Sequence, residues 1–160
     1  MKRIPLTQGK VAIIDDKDLA LVSQYEWFAH KNGKNFYAET RLPISKGRIL
    51  LKMHVLIMGK KIGFEIDHIN HNGIDNRREN LRHATHSQNH QNNRPRIHCS
   101  SKYKGVYWHK RDKKWEVQIG LDGALFYLGR FASEQEAAIL YNKSAVKMFG
   151  PFAFLNKVPA

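Results

Sequence analysis

The chain has 160 residues, with 27 lysines and arginines against 14 aspartates and glutamates, and this formal net charge of +13 favours a polyanionic partner, most simply nucleic acid. One ordinary domain or two small ones fit that length. No apolar run approaches a spanning length, Met1-Lys2-Arg3-Ile4-Pro5 lacks the apolar core of a signal peptide, and the single cysteine, Cys99, excludes an internal disulfide and a cysteine-based zinc knuckle, so a cytoplasmic protein without membrane association is expected.

From Met1 to about Met53 the pattern is β-rich. Val11 to Ile14, Trp27 to Ala29 and Phe36 to Ala38 read as strands, with Asn32-Gly33 as a hairpin turn between the last two. Asp15 to Asp18 caps a short helical piece reaching Tyr25, and these acids read as turn and cap residues rather than metal ligands. Ile49-Leu50-Leu51 makes another strand and Met53 to Gly59 a short helix behind the strands that follow. Trp27 and Met58 are expected in the core. His54 reads as structural, although it could approach a metal site.

The stretch from Ile66 to Asn93 carries the chemistry. Successive strand residues point to opposite faces, so Asp67 and His68 can serve one site only where the strand ends and the backbone turns. Asn70, Asn72 and Gly73 supply that turn, and Asn80-Leu81-Arg82 opens a second extended piece. Thr85 or Ser87 can then cap a helix running to about Asn93, on which His86 pairs with His90 and Asn89 with Asn93 at helical spacing. The His86 and His90 pair would suit Zn²⁺ or Ni²⁺. An acid, an imidazole and oxygen-bearing amides make a metal-and-base set.

Asp67-His68, Asp75-Asn76-Arg77-Arg78-Glu79-Asn80-Leu81-Arg82 and Thr85 through Asn89 together resemble the ββα-metal motif of HNH endonucleases, particularly the nicking homing-endonuclease branch. The resemblance implies that His68 is the general base, that Asp67 and Asn89 hold one divalent metal ion, and that Asn80 completes the catalytic set by tying the loop together. A neutral imidazole can take a proton from water at physiological pH. Hard oxygen donors suit Mg²⁺ or Mn²⁺ better than Zn²⁺ or Ni²⁺. Arg77, Arg78 and Arg82 could grip phosphates without taking part in bond making. His71 and His83 read as loop or surface residues.

Asn92 to Ser101 breaks every periodicity and reads as a basic linker whose Arg94 and Arg96 could follow a DNA groove. Beyond it, Tyr103 to Trp108, Lys114 to Ile119 and Leu125 to Gly129 read as three strands, with Asp122-Gly123 turning between the last two. Ser133-Glu134-Gln135-Glu136 is a capping box opening an amphipathic helix that Gly150-Pro151 stops. Trp115, Val117 and Ile119 alternate onto the face the helix covers, leaving Glu116, Gln118 and Gly120 on the other.

Tyr103-Lys104-Gly105-Val106, Lys114-Trp115, Tyr127 to Phe131, Glu136-Ala137-Ala138, Tyr141 and Phe154-Leu155-Asn156 resemble the APETALA2-type DNA-binding domain. That family's sheet enters the major groove, which implies that Lys104, Tyr107, His109, Arg111, Gln118 and Tyr127 face DNA. Several base-reading arginines of the plant pattern are replaced here by Tyr107, His109, Gly120 and Leu125, so sequence preference does not transfer. The expected architecture is α+β: a β-rich region leading into a ββα-metal nuclease motif over 1–93, a linker over 94–101, and a three-stranded antiparallel sheet on one helix over 102–160. The expected function is metal-dependent nicking of double-stranded DNA by a monomer, encoded by a phage or mobile element. The alternative is a sequence-specific DNA-binding regulator with an inert nuclease motif.

Overall fold

A computed structural model describes residues 1–95 and 99–159. Arg96 lies outside them. Contacts divide the chain into Met1–Thr85 and His86–Ala160.

The first unit opens with β1 (Lys2–Pro5), antiparallel to β2 (Val11–Ile14). The sequence gives little hint of β1, because a four-residue edge strand ending in proline looks like a tail, and its partner lies beyond a turn. In β2 the alternation works as it should: Ala12 and Ile14 are buried while Val11 and Ile13 are half-exposed. A 3-10 turn over Asp16–Asp18 leads into α1 (Leu19–Val22). This helix stops short of Tyr25, where the Trp27 indole N–H donates to the Val22 carbonyl at 2.9 Å and anchors the chain's exit.

Next come β3 (Phe28–Asn32), β4 (Asn35–Ile44) and β5 (Gly47–Lys52), a three-stranded meander. Its first turn is centred on Gly33 and Lys34, one position later than the sequence suggests, because Asn32 pairs with Asn35. Gly33 there has φ 58°, a left-handed conformation that glycine adopts without strain. Helix α2 (Met53–Met58) follows, then β6 (Glu65–His68), which pairs antiparallel with β7 (Leu81–Ala84). Ile14, Val22, Trp27, Ala38, Met53, Ile57 and Leu81 form the core of this unit. Each fully buried aliphatic side chain of this kind contributes about 1.5–3 kcal/mol.

The second unit begins with α3 (His86–Asn92). It continues through β8 (Val106–His109), β9 (Lys114–Leu121) and β10 (Ala124–Phe131), an antiparallel sheet with β9 central, and then α4 (Glu134–Phe149). Asp122 and Gly123 both have positive φ, 49° and 82°, the hairpin geometry whose twist matches the strands. Ser133 Oγ accepts from the Glu136 N–H at 3.4 Å and starts α4. Val117 and Ile119 are packed among Ala137, Ala138, Tyr141 and Ala145. Among the described residues no helix is long and apolar enough to cross a membrane.

Candidate active site and DNA-facing surface

The loop between β6 and β7 is built by hydrogen bonds rather than by an apolar core. The Asn80 amide closes it: Oδ1 accepts from the Asn70 N–H at 3.0 Å, and Nδ2 donates to the Asp75 carbonyl at 2.7 Å. Asn70 Nδ2 donates to Asp75 Oδ2 at 2.8 Å, and Arg77 grips the same carboxylate with two nitrogens at 2.8 Å each. That guanidinium holds the Asp75 carboxyl below its usual range. The backbone of β2 joins in, since the Ile13 N–H donates to the Ile74 carbonyl at 2.9 Å and the Asn76 N–H to the Ile13 carbonyl at 2.7 Å.

Asp15 and Asp18 bond this loop, and neither side chain caps the helical turn that follows it, contrary to expectation. Asp15 Oδ2 accepts from the Arg78 backbone N–H at 2.9 Å, and Asp18 takes the Arg78 guanidinium at 2.7 and 3.0 Å. Arg77 and Arg78 are therefore engaged inside the chain. Arg82 is too: it stands opposite Asp67 in the β6–β7 register and donates Nε to Asp67 Oδ2 at 2.9 Å. The arginines that the sequence offers as phosphate grips first fix the loop and its carboxylates.

His68 ends β6, buried beside Asp67. Its Nε2 lies 3.1 Å from Asn76 Oδ1, while the Asn76 amide nitrogen donates to Met53 Sδ at 3.3 Å. An amide oxygen can only accept, so Nε2 carries the proton and Nδ1 the basic lone pair. Tyr37 and His54 stand edge-on to the imidazole, with ring centroids at 5.9 and 4.9 Å. Burial lowers the His68 pKa, with Asn76, Asp67 and Asp75 pulling the other way. The ring is neutral at physiological pH, as a base must be. His54 is pushed down to about 3, chiefly by burial, and its buried Nδ1 has no hydrogen-bond partner among the described residues.

Sequence reasoning names Asp67, His68 and Asn80 but gives no role to Asn76 or Tyr37 and a vague one to His54. Asn76 sits inside the quoted Asp-Asn-Arg motif, which was the available signal. Tyr37 has a weaker one: Gly73, where a Cβ would come within 2.5 Å of the Phe36 carbonyl and 2.6 Å of the Tyr37 ring. That glycine lets the loop close over Tyr37.

The available donors suit a hard divalent ion. Asp67 carries a carboxylate in the first unit, and among the described residues no three His, Cys, Asp or Glu side chains gather around a point that could hold a metal. Asn89 lies on α3, in the second unit, as do His86 and His90, whose rings are 4.9 Å apart.

In the second unit the sheet's open face carries Tyr107, Glu116, Gln118, Leu125, Tyr127 and Arg130, by the strand register. Tyr127 is 59% exposed and Tyr107 43%. Arg130, which the sequence places only within the Tyr127–Phe131 motif, donates to Glu116 at 2.8 Å and to Asp112, so it holds the face together. His109 accepts from the Asp112 N–H at 3.3 Å, and Arg111 is 83% exposed by side chain. Lys104 differs from expectation: its ammonium lies on backbone carbonyls of residues 90, 91 and 93 instead of facing outward. Arg94 is exposed.

Residues 52–91 match the HNH endonuclease family and residues 101–151 the AP2 domain. An uncharacterized HNH endonuclease of Acanthamoeba polyphaga mimivirus is 31% identical over 157 residues, which cover 94% of this chain and 77% of that protein. The chain belongs to the HNH endonucleases. This endonuclease also carries an AP2 domain, 40% identical over 58 residues to an AP2-like ethylene-responsive transcription factor of Arabidopsis thaliana and 39% identical over 57 residues to APETALA2-like protein 2 of rice. Those stretches cover 17% and 13% of the two plant proteins, so the likeness is to one domain of each. No solved structure matches the endonuclease. The family match begins at Lys52, just before His54, and ends at Gln91 in α3, so it takes in both buried imidazoles and Asn89.

Proposed function

We propose that the endonuclease nicks double-stranded DNA, with His68 as general base and the AP2 domain as reader. The observation that supports this most is the buried imidazole of His68, set neutral by its surroundings and fixed as one tautomer by Asn76. Nδ1 takes the proton from the attacking water, and the imidazolium that forms is stabilised by the neighbouring Asp67 and Asp75 carboxylates. Asn80 keeps the loop in register and so is read as a catalytic-loop residue that holds, rather than touches, the reacting atoms.

Asp67 and Asn89 would hold Mg²⁺ or Mn²⁺, the Asn89 role resting on the motif's register alone. Bound there, such an ion would supply charge stabilisation for phosphodiester hydrolysis. Tyr107, His109, Arg111, Gln118 and Tyr127 contact the duplex from the open sheet face. Arg94 adds a phosphate contact, while Arg77, Arg78 and Arg82 act through the loop and carboxylates they hold. One site breaks one strand per engagement, so a monomer nicks. The viral relative fits carriage on mobile DNA.

Supercoiled plasmid bearing DNA from the gene's own neighbourhood tests this. With Mg²⁺ or Mn²⁺ the protein should convert it to open circles before any linear form appears, and EDTA should stop the reaction. Linear product arising directly from monomeric protein would contradict nicking. Tight binding without cleavage in either metal would favour the regulator.

A further inference from the structure

Helix α3 poses a physical problem. Its sequence, His86-Ser87-Gln88-Asn89-His90-Gln91-Asn92, contains no aliphatic or aromatic hydrocarbon side chain, and at seven residues it is far below the length at which a helix stands alone in water. Most protein helices are held by an apolar stripe against a core. This one has none to offer, so its fastening must be polar.

The fastening is on the page. Lys104 Nζ donates to the carbonyls of Gln91 at 2.6 Å, Asn93 at 2.8 Å and His90 at 3.3 Å. These carbonyls belong to the last turn of α3 and the residue beyond, at the negative end of its dipole, where that of His90 also accepts from the Asn93 N–H at 3.1 Å. The Phe154 N–H adds a bond to the Gln91 carbonyl at 3.3 Å, and the Phe154 ring sits 5.6 Å from the ammonium. At the other end, Ser87 Oγ bonds Asp122 Oδ1 at 3.3 Å.

The lysine itself is rigidly mounted. Asn156 clamps its backbone, accepting from the Lys104 N–H at 2.7 Å and donating to its carbonyl at 3.0 Å. Asn142 of α4 clamps Asn156 in turn, with bonds of 2.7 and 2.9 Å to its backbone. Three links thus run from Asn142 of α4 through Asn156 and Lys104 to the end of α3. Burial pulls the Lys104 pKa down to about 8.

We propose that Lys104 is a positioning residue for the nuclease: it pins α3 to the AP2 domain and thereby fixes Asn89. The AP2 domain is then the scaffold of the nuclease motif's helix as well as a DNA reader. The metal consequence rests on the role proposed for Asn89; the pinning does not.

The test compares the full-length wild type with Lys104→Met. Hydrogen exchange without metal or DNA should speed up by about tenfold or more in residues 86–93 while β8 to β10 and α4 keep their protection. The Mg²⁺ concentration for half-maximal nicking should rise by about tenfold, the usual scale for losing a group that orients a ligand. DNA affinity in EDTA should stay within about twofold, and Lys104→Arg should restore part of the metal response. Unchanged exchange over 86–93 overturns the pinning, and faster exchange with an unmoved Mg²⁺ requirement overturns the positioning role. Weaker DNA binding with both unchanged makes Lys104 a DNA contact instead. If Lys104→Met loosens the whole domain, the wild-type ammonium signal decides: slow-exchanging Lys104 protons close to residues 90–93 by NMR support the pinning, and a fast-exchanging ammonium overturns it. A wild type that never cleaves sinks the nuclease mechanism while leaving the exchange result to judge the pinning.

Discussion

Burial acts on His68 in two ways, lowering its pKa and bringing its Nε2 within reach of the Asn76 amide oxygen. A base must be neutral to work, and a lowered pKa keeps it neutral as the pH falls. Single-turnover nicking at fixed Mg²⁺ should therefore hold its plateau below pH 6.5, the ordinary histidine value, and fall only as the pH passes through the lowered pKa. A half-maximum at or above 6.5 would contradict this. Asn76→Ala should lose about 1–3 kcal/mol in a urea titration, because a buried N–H and a core sulfur lose their partner, and should slow nicking about tenfold or more under conditions where the protein stays folded. Equal rates would mean that the tautomer is set elsewhere. Asp67, His68 and Asn80 were legible because their types and spacing are local. Asn76 contacts Met53 and His68, and His68 faces Tyr37 and His54, across separations that no local pattern records.

Elements explain how so polar a loop stays in place. Ile74 is the loop's one aliphatic side chain packed on the core, and β2, Asp15, Asp18 and Tyr37 pin the rest from the outside. Gly73→Ala should push the loop off the Tyr37 ring and cost about 1–3 kcal/mol by thermal unfolding, with a matching loss of nicking. No change in either would show that the loop yields freely. Ser133→Ala should cost about 1 kcal/mol through the start of α4 and leave nicking intact when the protein is kept folded. The Ser133 cap, the Asp122-Gly123 turn and the alternation of Val117 and Ile119 were readable because each is a short-range rule. Helix α3 could be read as a helix, but its attachment could not: Lys104 looks in sequence like one more exposed cation, and only the fold brings it to the C-terminal end of α3.

The whole molecule joins two activities on DNA, a nuclease motif and an AP2 domain, in a chain of formal net charge +13. Such an excess makes binding salt-dependent, since each phosphate neutralised releases counterions. Arg94→Gln should lower the slope of log affinity against log salt by about 1 and weaken binding to target and unrelated DNA alike, measured by gel shift across salt. A loss confined to the target would make Arg94 a base reader. The charge and both resemblances were legible from sequence, while the grouping of α3 with the second unit was not, because contacts and not motif boundaries decide it. The most direct test of the account is the single-turnover nicking rate of His68→Ala beside its DNA affinity, at saturating Mg²⁺ and on the same target plasmid. The account predicts a fall in rate of about 10²–10⁴-fold with affinity unchanged. Cleavage at the wild-type rate, or a loss of binding as large as the loss of rate, would contradict the assignment of His68 as the base.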